Sequence, residues 1–203
     1  MRTLVLGDCH GSHKGLMQCL RRSKFDYEKD ELICLGDICD GWPETPQCID
    51  ELLKIKNVVY IIGNHDKWLL DYFQNGSTPV MWTEQGGKAT LKAYLDNPEK
   101  IIEHRGFFDK ANYYMVDEDF GLFVHGGIIK GVPMRDHTPG DFMWDRTLAD
   151  RCFLDPDYKG DDRFKEIFIG HSTTTLFSDK PMHVGNVWLL DQGGGYEGKL
   201  SIL

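Results

Sequence analysis

The chain has 203 residues, of which 41% are hydrophobic and 27% charged, and a formal net charge of −9. This length and apolar content fit one α/β domain over residues 1–203 with a sizeable core. The negative balance excludes an extended nucleic-acid partner such as duplex DNA, which is bound through Lys and Arg surfaces, and fits a site whose carboxylates hold cations.

The opening run MRTLVLG meets Asp8 too early for a signal-peptide core, and no segment is long enough to span a membrane. No membrane partner is therefore expected. Cys9, Cys19, Cys34, Cys39, Cys48 and Cys152 show no paired zinc spacing, and two lie in or beside apolar runs. Free thiols of that kind point to a reducing, cytoplasmic setting.

In chain order, the strand-like run TLVLG ends in Asp8-Cys9-His10-Gly11. A helical stretch over 14–23 leads to ELICLG, which ends in Asp37, with Asp40 and Gly41 following. A second helical stretch over 44–54, opened by Pro43, leads to NVVYIIG and its terminal Asn64-His65-Asp66. Alternation of strand and helix predicts βαβ units and a mostly parallel sheet. Residues 65–110 are predicted mainly helical, including 88–95 and 98–108. The strand-rich second half contains YYMV, GLFV ending in His125-Gly126-Gly127, EIFIG ending in His171-Ser172, NVWLL and KLSIL.

Ligands of open α/β sheets bind beyond the carboxyl ends of the strands. An ordinary turn explains any one of these polar clusters, but five at five strand ends point to one site. The residues they bring are Asp8, His10, Asp37, Asn64, His125 and His171. Oxygen and nitrogen donors of this kind suit Mn²⁺, Zn²⁺ or iron.

The motifs GDCHG (7–11), GDICDG (36–41), GNHD (63–66), HGG (125–127) and GH (170–171) resemble the signature of calcineurin-like metallophosphoesterases. Within that superfamily they look like the bacterial and phage form of the phosphoprotein-phosphatase branch, which includes lambda-type phosphatases and symmetrical diadenosine tetraphosphatases. WTEQGGKATLKAY (82–94) and MWDR (143–146) resemble further stretches of those proteins. The resemblance implies a β-sandwich flanked by helices, with two divalent metal ions at the strand ends. Asp8 and His10 would bind the first metal, Asp37 would bridge, and Asn64, His125 and His171 would complete the second. A water bridging the two cations would be the nucleophile. His65 would be the general acid, oriented by Asp40. Two departures stand out: Gly41 and Trp42 follow Asp40 where that branch has an Arg, and Asp66 stands where Glu is more frequent. Arg146 of MWDR is the candidate for the remaining phosphate clamp.

Other residues invite simpler readings. Asp66 is expected to cap a helix starting at Lys67. His13 and His104 are expected on the surface, His137 is a candidate for the cleft lining, and His183 is not expected to be a ligand. Cys9 should pack inward. Trp42 and Trp82 could stack a base, with buried packing the simpler role.

The leading expectation is a dinuclear metallophosphatase acting on phosphomonoesters, first on protein phosphoserine or phosphothreonine, with Mn²⁺ the expected metal and Zn²⁺, Fe or Ni²⁺ as other candidates. A nucleotide anhydride such as a dinucleoside polyphosphate is the alternative substrate. An inert binding scaffold is the reading of another class, and it is disfavoured because all six ligand positions and His65 are filled.

Overall fold

The computed structural model describes residues 1–196 and 198–203. The first half alternates β1 (Thr3–Leu6), α1 (His13–Arg22), β2 (Glu31–Cys34), α2 (Thr45–Leu52) and β3 (Asn57–Tyr60). The three strands pair in parallel in the order β1-β2-β3, with Thr3 opposite Glu31 and Glu31 opposite Asn57. Successive side chains of a strand take opposite faces, and the sequence is apolar on both. Leu4, Leu6, Leu32 and Cys34 cluster with Leu16 and Leu20 of α1 and Ile49 and Leu52 of α2. Val5 and Ile33 turn the other way.

A helical excursion follows: α3 (Asn64–Asn75), the short α4 (Val80–Trp82), α5 (Lys88–Asp96) and α6 (Ile101–Phe108). Then come β4 (Tyr114–Val116), β5 (Gly121–Val124), α7 (Pro139–Trp144), α8 (Thr147–Leu154), β6 (Glu166–Ile169), β7 (Met182–Val184) and β8 (Val187–Leu189). They form a five-stranded sheet in the order β4-β5-β6-β8-β7. Val5 and Ile33 of the first sheet, with Ile61 just after β3, meet Phe123 of the second and Leu190 just after β8 in one buried cluster. The outer face of the second sheet packs Leu122, Ile167 and Leu189 against Phe142 of α7 and Leu148 of α8. The layers are therefore helix, sheet, sheet, helix.

The expectation of a mostly parallel sheet fits the first sheet and the centre of the second. The edges β4 and β7 are antiparallel, because their connections to β5 and β8 are hairpins too short for a crossover. β7, following Pro181, was not anticipated. The final KLSIL segment pairs against β1 through Val5 N–H to the Leu203 carbonyl and Leu203 N–H to the Val5 carbonyl, both 3.0 Å. This covers a sheet edge that would otherwise present unpaired peptide groups.

Two expectations are corrected. Gly63 is the N-cap of α3, so the helix starts at Asn64 and Asp66 lies within its first turn. The Asp66 carboxylate accepts from the N–H groups of Asp37 (2.7 Å), Ile38 (3.0 Å) and Gly63 (2.9 Å) and from the Tyr60 hydroxyl (2.8 Å). Asp66 thus caps α3 from its third position, through the Gly63 N–H, and the same carboxylate also binds the loop after β2, which a rule for one helix does not consider. His104 is fully buried, pinned between the Tyr94 hydroxyl at 2.7 Å and Asp50 at 3.1 Å. It shares a face of α6 with Phe107 and Phe108, three and four residues on, which draws it inward.

Asp66→Ala strands the Asp37 and Gly63 N–H groups and the Tyr60 hydroxyl hydrogen in the interior, and leaves the Ile38 N–H only the Tyr60 oxygen at 3.3 Å. Urea unfolding in the presence of a chelator should show a loss of about 4 kcal/mol, given ~1–3 kcal/mol for each unsatisfied group and partial relaxation.

Candidate active site

The carboxyl ends of β1, β2, β3, β5 and β6 converge, and they bring all six predicted ligand positions into one cluster, buried except for the half-buried His10. Asp8, His10 and Asp37 place ligand atoms within 4.8 Å of one another, and so do Asp37, His125 and His171. Asp37 is common to both groups. Asn64 joins through Oδ1, which lies 3.1 Å from His125 Nε2.

Backbone geometry delivers these side chains. His10, Asp37, Asp40 and His171 all have positive φ, between 50° and 73°. That left-handed conformation is sparsely populated by non-glycine residues, and Asp and His are among those that tolerate it best. Gly63 is required on steric grounds, because a Cβ there would overlap the Asp37 carboxylate.

Hydrogen bonds orient the imidazoles. His10 Nδ1 donates to the Cys39 carbonyl at 3.0 Å and His125 Nδ1 to the Leu35 carbonyl at 2.7 Å. A carbonyl only accepts, so each ring carries hydrogen on Nδ1 and turns Nε2 inward, the arrangement of metal-binding histidines. His125 Nε2 then faces Asp37 Oδ2 at 3.3 Å and Asn64 Oδ1 at 3.1 Å. Three electron-rich atoms meeting in this way require a proton or a cation between them. Without a cation, burial pulls the His125 imidazole down but Asp37 outweighs it and raises the ring to about 10. Burial pushes Asp37 up, yet His125 and His65 hold it well below the usual carboxylate range. Burial and then Asp191 push Asp8 well above that range. Burial and His125 take His171 down to about 2, so its ring is neutral. Among the described residues, Asp8 Oδ1 and His171 Nε2 are buried without any hydrogen-bond partner. Unpartnered carboxyl oxygen and imidazole nitrogen are hard and borderline donors that fit divalent cations once deprotonated.

Beside this cluster, His65 Nδ1 meets Asp40 Oδ2 at 2.6 Å, leaving Nε2 for the cleft. The same carboxylate oxygen accepts from the indole N–H of Trp82 at 2.7 Å, and Thr90 Oγ1 accepts from the Asp40 N–H at 2.9 Å. Trp82 is fully buried, so it holds Asp40 and cannot stack a base, whereas Trp42 is exposed. Arg146 Nη1 donates to the His171 carbonyl at 2.9 Å and to Ser172 Oγ at 3.0 Å, at the rim of a cleft of about 140 Å³.

His13 is half-buried at the start of α1. His137 does not line this cleft: its Nε2 accepts from Ile129 N–H and its ring stacks on Phe142, fixing the loop before α7. His183 stacks on Trp188 at the sheet edge. Cys9 is buried, with Sγ 3.8 Å from Cys48 Sγ. Asp191, Gln85 and Tyr196 also line the cleft and were not anticipated. For Asp191 the signal was present: NVWLL is one more apolar strand run that ends in Asp and glycines.

Serine/threonine-protein phosphatase 1 of Salmonella typhimurium is 35% identical over 83 residues, 41% of this chain and 38% of that protein. The symmetrical bis(5'-nucleosyl)-tetraphosphatase of Coxiella burnetii is 30% identical over 99 residues, 49% of this chain and 32% of that one. The matched region is thus well under half the length of either relative. The cold-active protein-tyrosine phosphatase of a psychrophilic Shewanella shares the fold at a TM-score of 0.68 and 16% identity, covering 99% of this chain and 74% of that one. The calcineurin-like phosphoesterase profile matches residues 1–194, and the chain belongs to that family.

Proposed function

We propose that the chain is a phosphomonoesterase that works with two divalent cations and takes phosphoserine or phosphothreonine in proteins as substrate. The two-metal chemistry rests on the membership of Asp37 in both ligand groups, with the His65–Asp40 pair alongside, and the protein substrate on the likeness to the Salmonella serine/threonine-protein phosphatase. The family uses divalent metal ions. Asp8, His10 and Asp37 would hold one, and Asp37, Asn64, His125 and His171 the other, with Mn²⁺ the ion expected. Bound there, two cations supply Lewis-acid charge to the phosphoryl oxygens and make a water nucleophilic near neutral pH.

The remaining work falls to side chains. Burial pulls the His65 imidazole down, but Asp37 and Asp40 outweigh it and raise the ring above its ordinary value. With Nδ1 bound to Asp40, His65 carries its transferable proton on Nε2 and gives it to the departing oxygen. Asp40 fixes that orientation, and Trp82 fixes Asp40. Arg146 binds phosphoryl oxygens; it is the one guanidinium among the described residues lining the cleft. Gly41 supplies no second one.

The tetraphosphatase relatives favour a competing substrate, a dinucleoside polyphosphate. Steady-state rates with Mn²⁺ on a phosphoserine peptide and on diadenosine tetraphosphate separate the two. Turnover of the peptide is expected, and turnover of the dinucleotide alone would replace the proposal. Asp37→Asn should lose activity together with bound metal, measured by elemental analysis of the purified variant. His65→Asn should keep its metal but slow an alkyl phosphate about a hundredfold more than nitrophenyl phosphate, whose leaving group needs little protonation. Equal losses on both esters would remove His65 from the acid role.

A further inference from the structure

Tyr196, 73% exposed, lines the catalytic cleft and also a second cavity of about 290 Å³ beside it. One wall of this groove is a face of α1, where Ser12, Gly15, Gln18 and Arg22 recur every three or four residues. Residues 194, 196 and 198–200 form the other wall.

The two ends of the groove differ in chemistry. Beside the catalytic cleft stand Tyr196 and Trp42, whose N–H bonds the His10 carbonyl at 3.0 Å and whose indole N–H bonds the Gly194 carbonyl at 2.8 Å. Trp42 is 45% exposed, so its ring is available to a ligand. Far along α1, ten residues and about 15 Å beyond Ser12, lies Arg22. Lys199 lines the same groove, and its ammonium meets the Asp179 carbonyl at 3.2 Å. Among the described residues neither Arg22 nor Lys199 has a carboxylate partner. In a chain of net charge −9, α1 carries His13, Lys14, Arg21 and Arg22 and no acidic residue.

We infer that this groove is a subsite for the peptide flanking the phosphorylated residue, and that it selects acidic side chains about four to five positions away. The inference rests on the phosphatase reading above. The spacing follows from ~3.3 Å per extended residue along the ~15 Å of groove wall between Ser12, two residues after the cleft residue His10, and Arg22. The order of groups argues for a peptide over a dinucleotide. A dinucleoside polyphosphate presents further phosphates next to the scissile bond and its base last, whereas the groove offers aromatic surface beside the cleft and the Arg22 guanidinium at the far end of α1. A peptide with a bulky neighbour and then acidic residues matches that order.

The test uses the Mn²⁺-loaded chain and phosphoserine peptides that differ only by Glu or Gln at the fourth and fifth positions, on one side of the phosphoserine and then on the other. On one side the Glu peptide should have a kcat/KM about fivefold higher, the worth of two exposed ion pairs, carried by KM and suppressed by salt. The ratio should fall to one or invert in Arg22→Glu/Lys199→Glu and persist in Arg22→Lys. A ratio of one on both sides, an unchanged ratio in the charge-reversed variant, or preference for diadenosine tetraphosphate over both peptides overturns the assignment. Nitrophenyl phosphate, too small to reach the groove, reports on the phosphatase reading separately. Were it not turned over, anisotropy titrations of the same peptides would still decide the groove, and equal binding of the Glu and Gln forms would overturn it.

Discussion

The rest of this structure answers one electrostatic difficulty: Asp8, Asp37, Asp40, Asp66 and Asp191 are all buried at one end of the sandwich. An isolated carboxylate in such a place costs several kcal/mol. Each is met by its own set of donors. Asp66 takes three peptide N–H groups and a phenol, Asp37 the His65 N–H, Asp8 the His171 N–H, and Asp191 the Gly193 N–H. What is left unpartnered among the described residues, Asp8 Oδ1 and His171 Nε2 in the centre and Asp40 Oδ1 on the carboxylate that holds His65, is small by comparison. The central two sit where cations would be bound, and the donors around them hold the donor atoms in place before any ion arrives.

The helical excursion after β3 belongs to the same scheme. Trp82 from α4 and Thr90 from α5 reach the buried side of Asp40, which itself reaches His65. A segment of some thirty residues thereby sets the orientation of one imidazole. Gln85, in the turn between those helices, lines the cleft, so the same excursion also contributes to its wall.

Much of this was legible in the sequence because a strand end leaves a local trace: an apolar, β-branched run that stops at glycine and polar residues. Five such ends gave the convergence of Asp8, His10, Asp37, Asn64, His125 and His171, and the parallel first sheet followed from the helices between them. What escaped depends on partners distant in sequence. Asp66 looks like a helix cap alone until the loop after β2 is folded beside it; it caps α3 from the third position and holds that loop as well. His104 looks like a surface residue until Asp50 and Tyr94 arrive from α2 and α5. Asp191 carried the local trace, but the resemblance to known motifs did not include it. The groove beside Tyr196 joins α1 to a segment nearly two hundred residues later, and no local pattern connects them.

The left-handed backbone at His10, Asp37, Asp40 and His171 has a consequence for how such a protein can change over generations. At these positions the chain tolerates Asn, Asp, His or Gly and resists branched or bulky residues, irrespective of any chemistry. Chemistry and folding therefore filter the same sites with overlapping but unequal alphabets. A lineage released from selection for turnover would still be held to that short list by stability. Its first accepted changes should be to Asn or Gly, preserving the outline of the site after its charge has gone. Descendants that had lost activity would keep the architecture of a catalyst for a long time.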